Sequence, residues 1–153
     1  MGKDDRVGRL LNDLLKAELT AANQYFLHSV MCESRGYRNL AAHRRAASIH
    51  GMGRAQWCVD HILLGHGRPA VNELCPIRLG ITAKEQIEND LATHTECIPR
   101  LHHAMEACAG DAAARELFHR ILLAREDDVD SLEAELHTIR EVGIDDYLAA
   151  QVH

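Results

Sequence analysis

The side chains with the most chemistry to offer are metal donors: eleven histidines, five cysteines and four methionines in 153 residues. So many imidazoles in a short chain hint at metal chemistry, because neutral imidazole binds most divalent transition metals. The cysteines (Cys32, Cys58, Cys75, Cys97 and Cys108) are odd in number and form no C-x-x-C pair. They read as reduced thiols of a cytoplasmic protein, mostly small core fillers, rather than a disulfide framework or zinc site. His102 and His103 sit together on one predicted helix, where only one of the two can face inward. His119 and His137 carry no motif, and nothing specifies Cys108 and His119 as nucleophile and base. No glycine-rich phosphate loop is present. Local motifs therefore define no site, and the elements that carry these groups must be read first.

Apolar residues recur at helical spacing almost throughout. Hydrophobic residues make up 46% of the chain and aromatics 4%, a balance that favours an Ala- and Leu-rich helical core over a β-sandwich. The first helix is expected over about 5–34, with Leu11, Leu14, Leu15, Leu19 and Ala22 on one side and Gly36 closing it. The second is expected over about 38–64. A breaker-rich stretch with Gly65, Gly67, Pro69, Pro76 and Gly80 follows, long enough to cross a bundle. Thr82-x-x-Glu85 is a capping box for a third helix ending near Gly110. Asp111 can cap a fourth that runs to Gly143, and IDDYLAAQVH can form a short fifth. Tight links make helices one and two, and three and four, antiparallel pairs joined by the long crossover.

Three stretches resemble bacterioferritins: LNDLLKAELTAANQYFLH in helix one, SIHGMGRA in helix two, and LEAELHTIREVGIDDYLAAQ across helices four and five. The similarity runs nearly the full length, with a slightly shorter link between helices three and four. It implies an all-α, ferritin-like four-helix bundle with a long crossover loop and a short fifth C-terminal helix, as one domain over 1–153. It further implies intracellular iron storage in an octahedral shell, a 24-mer, with haem b at two-fold contacts and a di-iron ferroxidase site inside each bundle.

In such a site one Glu from each of two helices and a Glu-x-x-His from each of the other two hold the irons. The three-residue spacing puts both ligands of a pair on one helix face. This chain matches the first ligand with Glu18 and has Tyr25 beside it. Helix two offers Gly51-x-x-Arg54, helix three His94 in place of a Glu, and helix four Arg125-x-x-Asp128. Five of the six positions depart from the pattern. Glu18 and Asp128 facing Arg54 and Arg125 make a pocket that is neutral without metal, and Arg donates hydrogen bonds but does not ligate iron. A salt-bridge cluster is therefore expected in place of catalytic metals, with oxidation supplied by a partner subunit. The alternative is a ferroxidase with an altered centre, holding metal through Glu18, His50, His94 and Asp128 while both arginines swing out.

Met52 follows Gly51 by about 100° round the helix. If 51 and 54 face inward, its thioether faces another subunit. Alone it reads as a gap-filling hydrophobe. The resemblance around it, SI-x-x-M-x-x-A, implies an axial haem ligand shared across a two-fold axis, which raises the haem potential. Gly51 and Gly53 could let the macrocycle approach, or Gly51 could mark a lost ligand. Leu19, Ala22, Asn23 and Phe26 could line the same interface, and Arg45 is a candidate propionate partner. Trp57 reads as packing or a haem-side contact. The resemblance also puts His66 and Asp130 at channels through the shell, and Asp145, Asp146 and Gln151 near a four-fold pore. Helix-end solvation explains each of these equally well.

The chain is thus expected to be a haem-holding, storage and assembly subunit, mixed with a ferroxidase-competent partner and reduced by a small ferredoxin. A net charge of −6 with no basic tail argues against nucleic-acid binding, including a DNA-protecting mini-ferritin. No apolar segment is long enough for a membrane span.

Overall fold

The computed structural model describes residues 5–153, and the structural statements below concern these. Five helices follow one another: α1 (Arg6–Ser34), α2 (Arg38–Leu63), α3 (Ala83–Ala107), α4 (Ala112–Val142) and α5 (Ile144–Ala149). No strand interrupts them among the described residues. Thr82 and Asp111 cap their helices as read from the sequence, and Asp5 adds a third cap. Asp5 accepts the Gly8 N–H at 2.9 Å, Thr82 Oγ1 accepts the Glu85 N–H at 3.1 Å, and Asp111 Oδ1 accepts the Ala114 N–H at 3.0 Å. Glu85 returns a bond to the Ile81 N–H at 3.1 Å, one residue before the cap itself. Arg35 closes α1, and Gly36 follows in the left-handed region at φ 83°. α3 stops at Ala107, short of Gly110, because Cys108–Gly110 form a turn. Pro99 sits inside α3, where it removes one backbone donor from the ladder.

α1 packs chiefly on α2, and α3 on α4, as two antiparallel hairpins joined by the crossover 64–82. The larger apolar core fills one end of the bundle, with Leu11 and Leu15 of α1, Ile62 of α2, Leu101 of α3, and Phe118 and Ile121 of α4. A smaller one, Ile87, Leu132, Ile139 and Tyr147, seats α5 at the other end. Four of the five cysteines are buried, Cys75 is half-buried, and none is bridged to another. Burial pushes the Cys58 thiol well above its ordinary range. His102 and His103, of which only one could have faced inward, both face solvent. α3 turns Leu101 and Ala104 inward instead, leaving both imidazoles on its wet side. No helix is long and apolar enough to cross a membrane.

Candidate functional site between the helices

Midway along the bundle the buried stripe turns polar. On α1 it runs Leu11, Leu14, Glu18, Ala21, Tyr25 and His28, a 3.5-residue repeat that places Glu18 at the centre with no solvent exposure. Arg54 of α2, His94 of α3 and Arg125 of α4 are buried around it. Arg125 is the largest fully buried side chain among the described residues.

Each Glu18 oxygen is taken by a different arginine. Arg54 Nε donates to Oε2 at 3.0 Å, and Arg125 Nε donates to Oε1 at 3.0 Å. Arg125 Nη2 also lies 3.0 Å from Oε1 but off the hydrogen-bond direction, so it contributes charge rather than a bond. Arg54 reaches Asp128 Oδ2 through Nη2 at 3.3 Å. Burial raises the Asp128 carboxyl above its usual range despite both guanidinium groups nearby.

His94 has a fixed tautomer. Arg125 Nη1 lies 3.3 Å from its Nδ1. A guanidinium can only donate, so Nδ1 accepts and the ring proton sits on Nε2. Nε2 contacts the Tyr25 hydroxyl at 2.5 Å and lies 3.7 Å from Asp128 Oδ2. Burial, then Arg125 and Arg54, hold the imidazole well below its ordinary pKa, so it is neutral. Burial also holds the Tyr25 phenol protonated. Glu18, Tyr25, Arg54, His94, Arg125 and Asp128 are thus brought together, two anions against two cations. A di-iron centre does not fit this set. Both Glu18 oxygens and both His94 nitrogens are engaged, and two guanidinium groups stand among the donors. His50 is exposed on α2 and takes no place in the buried cluster.

Gly51 turns toward α1, not into open space. A Cβ there would lie 3.2 Å from Ala22 Cβ, and Ser48 Oγ donates to the Ala22 carbonyl at 2.7 Å beside it. Position 51 thus sets the close approach of two helices. Met52, one step round, is 50% exposed. Arg45, Ile49 and Met52 share one exposed face of α2 at i, i+4 and i+7, and Leu19, Asn23 and Phe26 share one face of α1. Ile49 is 64% and Phe26 48% exposed, so the thioether stands in a solvent-facing apolar flank. That chemistry fits the edge of a haem held between two subunits. Trp57 packs under a cation, with the Arg120 guanidinium 4.2 Å above its ring.

A second buried network went unread in the sequence. His28 Nε2 accepts the Gly80 N–H at 3.0 Å, so its Nδ1–H donates to Asp90 Oδ1 at 2.9 Å. Gln24 donates to the same oxygen at 2.8 Å. Arg44 Nη2 donates to both oxygens of Glu135 at 2.7 Å, and Tyr147 of α5 donates to Oε1 at 2.7 Å. This layer ties α5 and the crossover to all four long helices. A Cβ at Gly80 would lie 2.4 Å from the Gln86 nitrogen, so only glycine lets the crossover come this close to α3. The available signal was the continuation of the Glu18 stripe to His28 on α1, and of the Arg54 face to Arg44 on α2.

A ferritin-like domain model matches residues 9–142. The bacterioferritin of Mycolicibacterium paratuberculosis is 41% identical over 151 residues, covering 97% of this chain and 95% of that one. The Mycobacterium tuberculosis bacterioferritin BfrA is 39% identical over the same shares, and that of Streptomyces coelicolor is 35% identical over 154 residues, 99% of this chain and 92% of that one. With the helical bundle and its crossover, these matches make the chain a member of the bacterioferritin family.

Proposed function

We propose that this chain is an iron-storage subunit of an oligomeric shell that holds haem through Met52 and does not itself oxidise Fe(II). Bacterioferritin relatives over nearly the whole length support iron storage and an oligomeric shell. The observation that carries the finer reading is the double engagement of Glu18. The one carboxylate that matches a ferroxidase ligand has an arginine on each oxygen, and any ion entering would meet two buried cations. Iron is cargo for this subunit, and a ferroxidase-competent partner in a mixed, cytoplasmic 24-mer supplies the ferric form. The rival reading, a rebuilt His/carboxylate ferroxidase, requires Arg54 and Arg125 to abandon three hydrogen bonds to Glu18 and His94.

Haem b, when bound, supplies an electron path for returning stored iron as Fe(II), with a small ferredoxin as the donor. The chain's own contribution is a soft, neutral thioether at position 52 that favours the reduced haem. Phe26, Leu19 and Asn23 line the adjoining flank, and Arg45, exposed on the same face of α2 as Met52, would pair with a propionate. Haem titration tests this: about one haem per two subunits is expected, since by the resemblance Met52 from each of two subunits would hold one haem iron. Met52→Leu is expected to abolish that spectrum, and unchanged haem content in the variant would remove the ligand assignment.

A further inference from the structure

We propose that His61, His66 and Asp111 form a binding site for one divalent first-row transition-metal ion of the Zn(II) or Fe(II) type. The site lies at the end of the bundle where α2 stops and α4 begins. One ligand atom from each of the three residues lies within 4.8 Å of the others. Donors at about 2.0–2.2 Å from a shared ion stand about 3–4 Å apart, so small side-chain rotations complete the site.

The chain termini of the helices build it. His61 occupies the last turn of α2, and the His66 N–H bonds back to the Ile62 carbonyl at 2.8 Å. The turn at Gly67, φ 82°, then leads the chain away. This wrap brings the two imidazoles alongside, their centroids 5.9 Å apart and their planes within 14° of parallel. Asp111 is the N-cap of α4. Its Oδ1 holds the Ala114 N–H, which leaves Oδ2 for a ligand bond.

His66 is already oriented as a ligand. Its Nδ1 bonds Asp5 Oδ1 at 2.9 Å, and Asp5 is itself fixed as the N-cap of α1. With Nδ1–H donated to Asp5, Nε2 carries the free lone pair. A carboxylate behind a metal-binding imidazole is the usual way to fix its tautomer and raise its basicity. Two imidazoles and one carboxylate suit a borderline ion and leave positions for water. Asp5 and Asp111 together balance the charge of a divalent cation. Asp5 lies about 20 Å along α1 from Glu18 at 1.5 Å per residue, so the site stands apart from the charge cluster and does not depend on its reading.

The test uses the full chain, haem-free and stripped with a chelator, titrated with Co(II) as an optical probe and with Zn(II) by calorimetry. One ion per subunit is expected in the strongest class, with Zn(II) displacing Co(II). His61→Ala and Asp111→Asn are each expected to weaken that class at least tenfold. Asn caps a helix as well as Asp, so loss in Asp111→Asn reports a missing ligand and not a damaged fold. His137→Ala, an exposed imidazole at the far end of α4, is expected to leave binding unchanged. Wild-type affinity and stoichiometry in both His61→Ala and Asp111→Asn would overturn the proposal, as would failure of the wild type to bind.

Discussion

Residues 51 and 52 are neighbours on α2, yet they open onto two regions built in opposite ways. On the inner side, Glu18, Arg54, His94 and Arg125 hydrogen-bond to one another within one chain, with two buried cations meeting a buried anion and Arg125 Nη2 held by charge alone. On the outer side, Ile49, Met52 and Phe26 are about half or more open to solvent among the described residues. A polar interior that closes on itself has no need of a ligand, whereas an apolar surface left open needs a partner molecule. A single step along α2 thus separates a closed polar interior from an open apolar flank. If that contrast is right, inner substitutions cost stability and spare haem, while outer ones cost haem and spare stability.

The largest effect is expected from Glu18→Ala, which leaves two arginines buried beside each other without their anion. Removing one partner of a buried ion pair costs about 3–5 kcal/mol, and the unfolding midpoint in denaturant should fall accordingly. A shift below about 1 kcal/mol would mean the arginines find water and the cluster is not closed. Replacing the whole cluster by well-packed apolar groups need not destabilise, since desolvation offsets the attraction.

The cluster should also show in the pH dependence of stability. His94 is held below its ordinary pKa of 6.5. From pH 6.5 down to that depressed value the unfolded chain binds a proton that the folded chain does not, so stability falls as the pH drops through this window and is complete above it. Asp128, raised above 3.8, acts in the opposite sense: its contribution is present below 3.8 and lost as pH rises through its folded value. His94→Gln removes the first effect and leaves the second. A denaturation series from pH 7 to 5 should therefore flatten in the variant, and an unchanged slope would place the titrating group elsewhere.

Smaller still is Tyr147→Phe, which deletes the bond from α5 to Glu135. A net loss of about 0.5–1.5 kcal/mol is expected for one hydrogen bond. The smallest stability effect belongs to Met52→Leu on the open side, within about 0.5 kcal/mol for an exposed site, in the same protein that loses its haem spectrum. A large destabilisation there would mean the outer face is part of the fold rather than a docking edge.

The bundle was legible because its signals are local. Thr82 with Glu85, Asp111 and Gly36 mark helix ends by chemistry that acts within four residues. The inner cluster was legible through the resemblance, which set Glu18, Arg54, His94 and Arg125 at facing positions, since position on a helix fixes which side chains converge. The second layer was hidden for the same physical reason that makes it work. Asp90, Glu135 and Arg44 belong to residue types that usually face water, and in the fold Asp90 and Arg44 are buried and Glu135 half-buried through pairing between helices. His102 and His103 show the reverse, two conspicuous side chains whose helix simply turns them outward. His61 and His66 lie on either side of a helix end, where no periodicity relates them and only the folded turn brings them together.

The rate of Fe(II) oxidation by oxygen, in shells assembled from this chain alone and compared with the same iron in buffer, bears most directly on the closed interior. Arginines on both oxygens of Glu18 predict a rate at the buffer background. A fast phase saturating at about two irons per subunit, as a two-metal site requires, would contradict it, and Glu18, His94 and Asp128 would then have to be ligands of a working centre.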